Sequence, residues 1–276
     1  MPLKSRNRGR RDAQDGRRLD AQAAMRANGA VWAGADLVEF YAGDRLRPVE
    51  AILLRRYRDD LAGRVLELGC GAGRLTGHLC GLAEHVHGVD LSPAMVAHCR
   101  RAFPGASFSE GDLCDLSAFT DGSFDAVLAP YNVLDVLCDA DRRAVLDEIR
   151  RLLVSGGLLI FSTHNRAHAA HLSRRLRLYL GSPRRPAASV RTLRLRLRNH
   201  RRLHELERSE PGYSLVNDEA HDFSLLHYYI GRDAQERQLS EHGFELLECR
   251  DLDARVVPQR AAATRCSELH YAARPT

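Results

Sequence analysis

The sequence predicts an α/β fold built on a parallel, doubly wound sheet, and three observations carry that prediction. Strand-like and helix-like stretches alternate from Val65 to Thr163, the rhythm of βαβ units with right-handed crossovers. Gly69, Gly71 and Gly73 stand at alternate positions between the first apolar run and the first helical stretch. The second strand-like stretch ends in an acidic residue, Asp90.

Each element has its own local reason. Residues 1–20 hold many charges and few apolar anchors, so a disordered basic tail is expected there. Residues 21–62 form a helical cover: apolar residues recur at helical spacing from Asp36 to Arg58, and Pro48 suits the first turn of a helix through "VEAILLRRYRDDL". The core, 63–163, opens with the strand "RVLELG", followed by a helix over Ala72 to Leu82 and the strand "HVHGVD". A helix "SPAMVAHCRRA" then has Ser92 at its N-cap and Pro93 at its first position. After "ASFSEGD" come the strand "SFDAVLAP", the helix "ADRRAVLDEIRRLLV", a turn at Ser155-Gly156-Gly157 and the strand "LLIFST". The rhythm breaks at His164, and residues 164–229 read as a basic insertion on the acceptor side. Within it a helix is expected in "HAAHLSRRLRLYL", a break at Gly181-Ser182-Pro183, and a strand in "VRTLRLRLR", where Leu193, Leu195 and Leu197 alternate with arginines. Residues 230–276 return to the core with the helix "DAQERQLSEHG" and the strands "FELLECRDL" and "SELHYAA".

Composition narrows the function. The chain of 276 residues is 44% hydrophobic and 28% charged, with a net charge of +5 concentrated in the tail and in Arg166 to Arg208. Such blocks contact nucleic acid, membrane or acidic partners, or form a solvated face. Seven scattered cysteines without a Cys-x-x-Cys pair suit reduced, packed thiols. No apolar run approaches the roughly 20 residues that span a bilayer, and the start lacks the apolar segment of a signal peptide, so a cytoplasmic protein is expected. His164, His168 and His171 share a helical face if the helix begins early, but no carboxylate completes a metal-ligand pattern.

A glycine loop between a first strand and its helix presents bare N–H groups to a ligand. The dinucleotide fingerprint would require a third glycine where Arg74 stands, and the lysine of a phosphate-binding loop is missing, so pyrophosphate is disfavoured. Asp90 stands near the separation at which a carboxylate meets the ribose hydroxyls of an adenine nucleoside. Adenosine without much phosphate fits this pair.

The stretches "VLELGCGAG", "GVDLSPAMV", "EGDLCDL", "FDAVLAP" and "RLLVSGGLLIFST" together resemble the successive motifs of class I S-adenosylmethionine-dependent methyltransferases of the small-molecule type, over Val65 to Thr163. The resemblance implies a mostly parallel, seven-stranded sheet of the Rossmann-like methyltransferase fold, with an α+β insertion after the fifth strand. It implies S-adenosyl-L-methionine as cofactor, with Glu67, Gly69, Cys70, Gly71 and Gly73 around its methionine end. Asp90 would hold the ribose, Leu91 and Met95 would flank the adenine, Asp112 would accept from the adenine amino group, and Leu113 would lie beside the ring. Asp112 and Asp115 also suit turn and capping chemistry. Ala129 to Asn132 fall where the fourth strand ends against the sulfonium and the acceptor.

Methyl transfer from a sulfonium is an in-line displacement, so a catalytic base need not announce itself. Tyr131, Asn132 and His164 are the candidates for positioning or proton transfer, with His221, His227, Tyr228 and Tyr229 at the end of the insertion. Trp32, Phe40 and Tyr41 suit either a lid or core packing. "APYNVLDVL" lacks the Asn/Asp-Pro-Pro-Tyr/Phe pattern of enzymes that methylate amines of nucleic-acid bases. The expected acceptor is therefore an oxygen or nitrogen of a small molecule, and an acidic one would suit the arginines. The alternative is an RNA-modifying enzyme that uses the basic tail and insertion as its footprint.

Overall fold

Arg64–Leu68 forms β1, one exposed residue followed by four buried ones, the burial of a strand covered on both faces. In the computed structural model, which describes residues 20–28, 38, 45–168 and 190–276, this strand lies at the middle of the sheet. Ahead of it come a helical segment at 20–26 (α1) and Pro48–Arg56 (α2), which has the expected proline in its first turn. After it come Thr76–Leu79 (α3), His85–Asp90 (β2), Pro93–Ala102 (α4), Ser107–Glu110 (β3), Phe124–Ala129 (β4), a 3-10 turn at Val133–Val136, Asp139–Leu152 (α5) and Leu153–Asn165 (β5). Val190–Leu203 (α6), Arg208–Ser209 (β6), Tyr213–Val216 (β7), His227–Ile230 (β8), Arg232–Glu241 (α7), Phe244–Arg250 (β9) and Glu268–Pro275 (β10) complete the order.

Strands β3, β2, β1, β4 and β5 are parallel neighbours in that order, and β10 runs antiparallel between β5 and β9. These are the seven core strands that the resemblance implies. Strand β5 outruns β4: their pairing ends at Ala129 opposite Phe161, and His164 and Asn165 pair instead with Tyr229 and Ile230 of β8. The antiparallel ribbon β8-β7-β6 thus continues the sheet past its C-terminal edge.

The strand period of two sorts the core into two layers. Leu66, Leu68, Val127, Ala129, Leu159, Phe161 and Tyr271 face Val145, Leu146 and Ile149 of α5. Val65, Ala126, Leu128, Leu158, Ile160 and Ala272 face Val49, Leu53 and Leu54 of α2. A third cluster docks α1, through Ala21 and Met25, against Leu203, Leu215, Leu226 and Tyr228 of the insertion. Buried Asn28 fastens that contact, donating to the carbonyls of Val136 and Leu226 at 3.0 and 2.9 Å.

Two local expectations need correction. The strand expected through Leu193, Leu195 and Leu197 is the middle of helix α6. Leucine and arginine are both good helix formers, and at a helical repeat Leu193 and Leu197 are partly buried while Leu195 turns outward, 37% exposed. The helix expected over Ala72 to Leu82 shrinks to α3, flanked by turns, because Gly73, Gly77 and Gly81 weaken it. The tail 1–19, Trp32, Phe40, Tyr41 and the helix and break expected at 169–183 lie outside the described residues.

Candidate active site

The ends of β1, β2, β4 and β5 converge at one edge, the place where open α/β sheets hold ligands. Gly69, Gly71 and Gly73 bend there with φ of +63°, +54° and +83°, backbone that a side chain disfavours. Their surroundings differ. A Cβ on Gly69 would fall 2.2 Å from Val133, and one on Gly73 2.2 Å from the ring of Phe103, whereas one on Gly71 meets nothing within 4 Å. The bend therefore opens outward at Gly71 alone.

Asp90, at the end of β2, reaches back to that opening. Its Oδ2 accepts from the Gly71 N–H at 2.8 Å and its Oδ1 from the Ser92 N–H at 2.9 Å. Each oxygen keeps a second lone pair. Burial pushes the carboxyl above its ordinary range, and the two N–H donors oppose that. Glu67 is buried beneath the loop, with Oε2 accepting from Thr76 Oγ1 at 2.5 Å and Oε1 without a hydrogen-bond partner. Burial raises its pKa to about 7, although Thr76 and Arg74 favour the charged form.

The other expected site residues are less uniform. Cys70 spends its N–H on Val89 and its carbonyl on Gly73, and its side chain packs inward with Val96, Cys99 and Phe108, so only its backbone shapes the loop. Leu91 is exposed, while Met95, Leu113 and Ala129 are buried. Asp112 is exposed, and its Oδ1 accepts from the Cys114 N–H at 2.9 Å, the turn chemistry that was its other expectation.

Beyond β4 the backbone turns left-handed twice, at Tyr131 (φ +58°) and Asn132 (φ +59°), strain of the kind that gathers at functional sites. The guanidinium carbons of Arg47 and Arg74 lie 4.5 and 4.9 Å from the Tyr131 ring centre. Asn132 takes its N–H to Ser162 Oγ at 2.8 Å and its Nδ2 to Glu268 Oε2 at 3.1 Å. The same Nδ2 faces Nε2 of His164 at 3.4 Å. Arg47 forms an ion pair with Glu268 in turn.

His164, near the end of β5, gains a partner that the sequence did not single out. Oδ2 of Asp135, in the 3-10 turn, meets His164 Nδ1 at 2.8 Å and its backbone N at 2.6 Å. Arg142 Nη1 and Thr163 Oγ1 both donate to Asp135 Oδ1 at 2.7 Å. Surrounded by donors, Asp135 is a carboxylate that only accepts, so Nδ1 carries the proton and Nε2 is left as the acceptor. The signal available in "YNVLDVL" was only an acidic residue in an apolar run.

The insertion closes on the same histidine. Tyr229 stacks on the His164 ring with centres 4.7 Å apart, and His227 lies 5.2 Å away. Asp218 Oδ2 binds both, meeting His227 Nδ1 at 3.0 Å and accepting from the Tyr229 hydroxyl at 2.7 Å. His221, at φ +49°, begins a left-handed run through Asp222 and Phe223. Tyr228 points to the other face of β8 and donates to Asp139 at 2.6 Å, outside this cluster. His168 meets the Thr264 carbonyl at 3.0 Å, and His171 lies outside the described residues. A small apolar cavity of about 20 Å³, room for one water, lies beneath Pro130 between Glu50, Phe161 and His270.

Residues 65–157 match the family described as a methyltransferase domain. The ubiquinone biosynthesis O-methyltransferase of Xanthomonas oryzae pv. oryzae is 37% identical over 118 residues, 41% of this chain and 48% of that protein. The trans-aconitate 2-methyltransferase of Methylobacterium nodulans is 38% identical over 90 residues, 32% of this chain and 34% of that protein. The chain spans about half the length of the first curated relatives it matches. An S-adenosylmethionine-dependent methyltransferase from Mesorhizobium loti has the same fold, with a TM-score of 0.56 at 22% identity over 87% of this chain and 100% of that one.

Proposed function

The chain carries a class I S-adenosylmethionine-dependent methyltransferase domain over residues 65–157, and from that premise we propose that it moves a methyl group to an oxygen or nitrogen of a small-molecule acceptor. The observation that carries this reading is the opening at Gly71 with the Asp90 carboxylate turned toward it. A nucleoside can approach the bare backbone there and share the free lone pairs of Asp90 through its ribose hydroxyls. The orphaned Glu67 Oε1 supports the methionine end of the same ligand. Leu91, Met95, Asp112 and Leu113 would surround the adenine, and Ala129 would back the reacting carbon.

When bound, S-adenosylmethionine supplies a methyl made electrophilic by its sulfonium. His164 Nε2 then accepts the proton of the acceptor hydroxyl or amine, while Asp135 keeps the imidazole in the required tautomer and stabilises its charged form. Tyr131 and Asn132 position the acceptor at the mouth. The cytoplasm is the proposed location; among the described residues no helix is long and apolar enough to cross a membrane.

Calorimetric titration of S-adenosylmethionine into wild type and Asp90→Ala tests the site. A loss of at least about tenfold in affinity is expected, since hydrogen bonds to a charged group contribute about 1.5–3 kcal/mol each; equal binding removes the assignment. Mass spectrometry of a metabolite extract incubated with isotopically labelled cofactor then identifies the acceptor.

One observation favours the RNA alternative: Arg194, Arg198 and Arg201 are exposed at successive turns of α6, a cationic stripe suited to phosphates. RNA retained on a filter at low salt and released as salt rises would support it, and no retention at low salt would end it.

A further inference from the structure

We propose that Glu67 is the counter-ion for the positive charge of S-adenosylmethionine: it releases a proton to solvent when the cofactor binds and takes one back when only the neutral-sulfur product, S-adenosylhomocysteine, occupies the site. The site thereby tells cofactor from product by charge. The inference deepens the cofactor reading above and rests on it.

The other carboxylates around this edge of the sheet have their partners. Glu50 holds both terminal nitrogens of Arg74, at 2.5 and 2.7 Å, Glu268 has Arg47, and Asp135 has Arg142. Asp90 accepts from the N–H groups of Gly71 and Ser92. Glu67 stands apart: it is 0% exposed, Oε2 has only the Thr76 hydroxyl, and Oε1 has no hydrogen-bond partner. The glycine bend begins two residues beyond Glu67, and Thr76 follows the bend, so the carboxyl ties the base of the loop that opens at Gly71. A buried carboxyl without its own cation stays neutral by keeping its proton, and a cation placed beside it reverses that preference.

The groups facing Glu67 come from four elements. Burial is the largest influence and raises its pKa to about 7; Thr76 of α3 and Arg74 of the loop favour the charged form, while Asp90 of β2 and Glu50 of α2 disfavour it. The thiols of Cys70 and Cys80 stay neutral, Cys70 raised chiefly by its contact with Cys99 and Cys80 by burial. Arg74 is engaged by Glu50, so its charge is already answered. The cofactor brings an ammonium, a carboxylate and a sulfonium, a net positive charge. On transfer the methyl leaves, its bonding pair stays on sulfur, and the sulfonium becomes a neutral thioether. Glu67 then regains a proton from solvent.

Calorimetric titration of the full chain with S-adenosylmethionine and with S-adenosylhomocysteine, from pH 5.5 to 7.0, tests this without a known acceptor. The two ligands share adenine, ribose, ammonium and carboxylate, so the effects of pH on Asp90 or on the loop cancel in the ratio of their affinities. That ratio is expected to rise roughly tenfold in favour of the cofactor across this range, following the deprotonated fraction of Glu67. Titrations at pH 6.0 in phosphate and in imidazole, buffers of different ionisation heat, count the protons: about one is released with the cofactor, and fewer than about half as many with the product. In Glu67→Gln the ratio is flat. A flat ratio in wild type, or a rise that persists in Glu67→Gln, overturns the proposal and leaves the cofactor site standing. If Glu67→Gln does not fold, Thr76→Val decides: losing the hydroxyl moves the rise to higher pH and lowers the ratio at pH 7.0 below that of wild type, and an unmoved rise overturns the proposal. Binding of neither ligand defeats the cofactor reading and this inference with it.

Discussion

Gly69, Gly71 and Gly73 look equivalent in the sequence, yet each meets a different neighbour. A side chain at Gly69 collides with Val133 and at Gly73 with Phe103, so those two serve packing, and only Gly71 faces open space. Gly69→Ala combines that collision with a left-handed φ, and a loss of about 2–4 kcal/mol in urea denaturation is expected. Gly71→Ala bears the φ penalty alone, about 1 kcal/mol, yet weakens S-adenosylmethionine binding in calorimetry by tenfold or more; wild-type affinity would place the ligand elsewhere. Glu67 adds a pH dependence. Its pKa is raised by burial, so the folded state holds the proton longer than the unfolded chain, and stability is lost as pH rises from about 4.5 to about 7. Glu67→Gln removes that loss, and denaturation curves of the ligand-free protein across this range should show wild type falling by up to about 3 kcal/mol relative to the variant.

At the scale of elements, α6 shows how a period of two can mislead. Leu193, Leu195 and Leu197 satisfy a strand pattern, but Leu203 six residues further on is buried against α1 and β7, and Asn199 donates to the Asp222 carbonyl at 3.0 Å. A helix treats the leucines unequally, and that is testable. Leu195→Ala is expected to change stability by less than about 0.5 kcal/mol, whereas Leu203→Ala costs about 2–5 kcal/mol. Equal effects in denaturant titrations would contradict the helical face. The same element carries the exposed arginines, so the basic character of the insertion and its attachment to the fold belong to opposite faces of one helix.

At the scale of the whole molecule, catalysis is assigned to a contact between distant segments. Asp135 leaves β4, Arg142 lies on α5, Gln235 and Gln238 come from α7, and together they hold the partner of His164 in a fully buried network. Asp135→Asn keeps the shape but lets the imidazole adopt the wrong tautomer; labelled methyl transfer should fall by about 10²- to 10⁴-fold, with cofactor affinity within a few-fold of wild type. Unchanged transfer would show that the acceptor needs no base. Much of this molecule was legible in advance. The alternation from Val65 to Thr163 announced the parallel core, and the Ser92-Pro93 helix start appeared where its local chemistry required. The glycine bend and Asp90 could be paired from their spacing alone, because a βα unit brings the ends of adjacent strands together wherever it occurs. The ribbon β8-β7-β6, the different surroundings of the three glycines, and the contacts that join Asp135, Asp218, His227 and His164 could not. Periodicity and turn residues report on neighbours along the chain. Which buried acid meets which histidine depends on how elements 29 residues apart pack around a shared desolvated space, and that pairing is decided only when the tertiary structure forms.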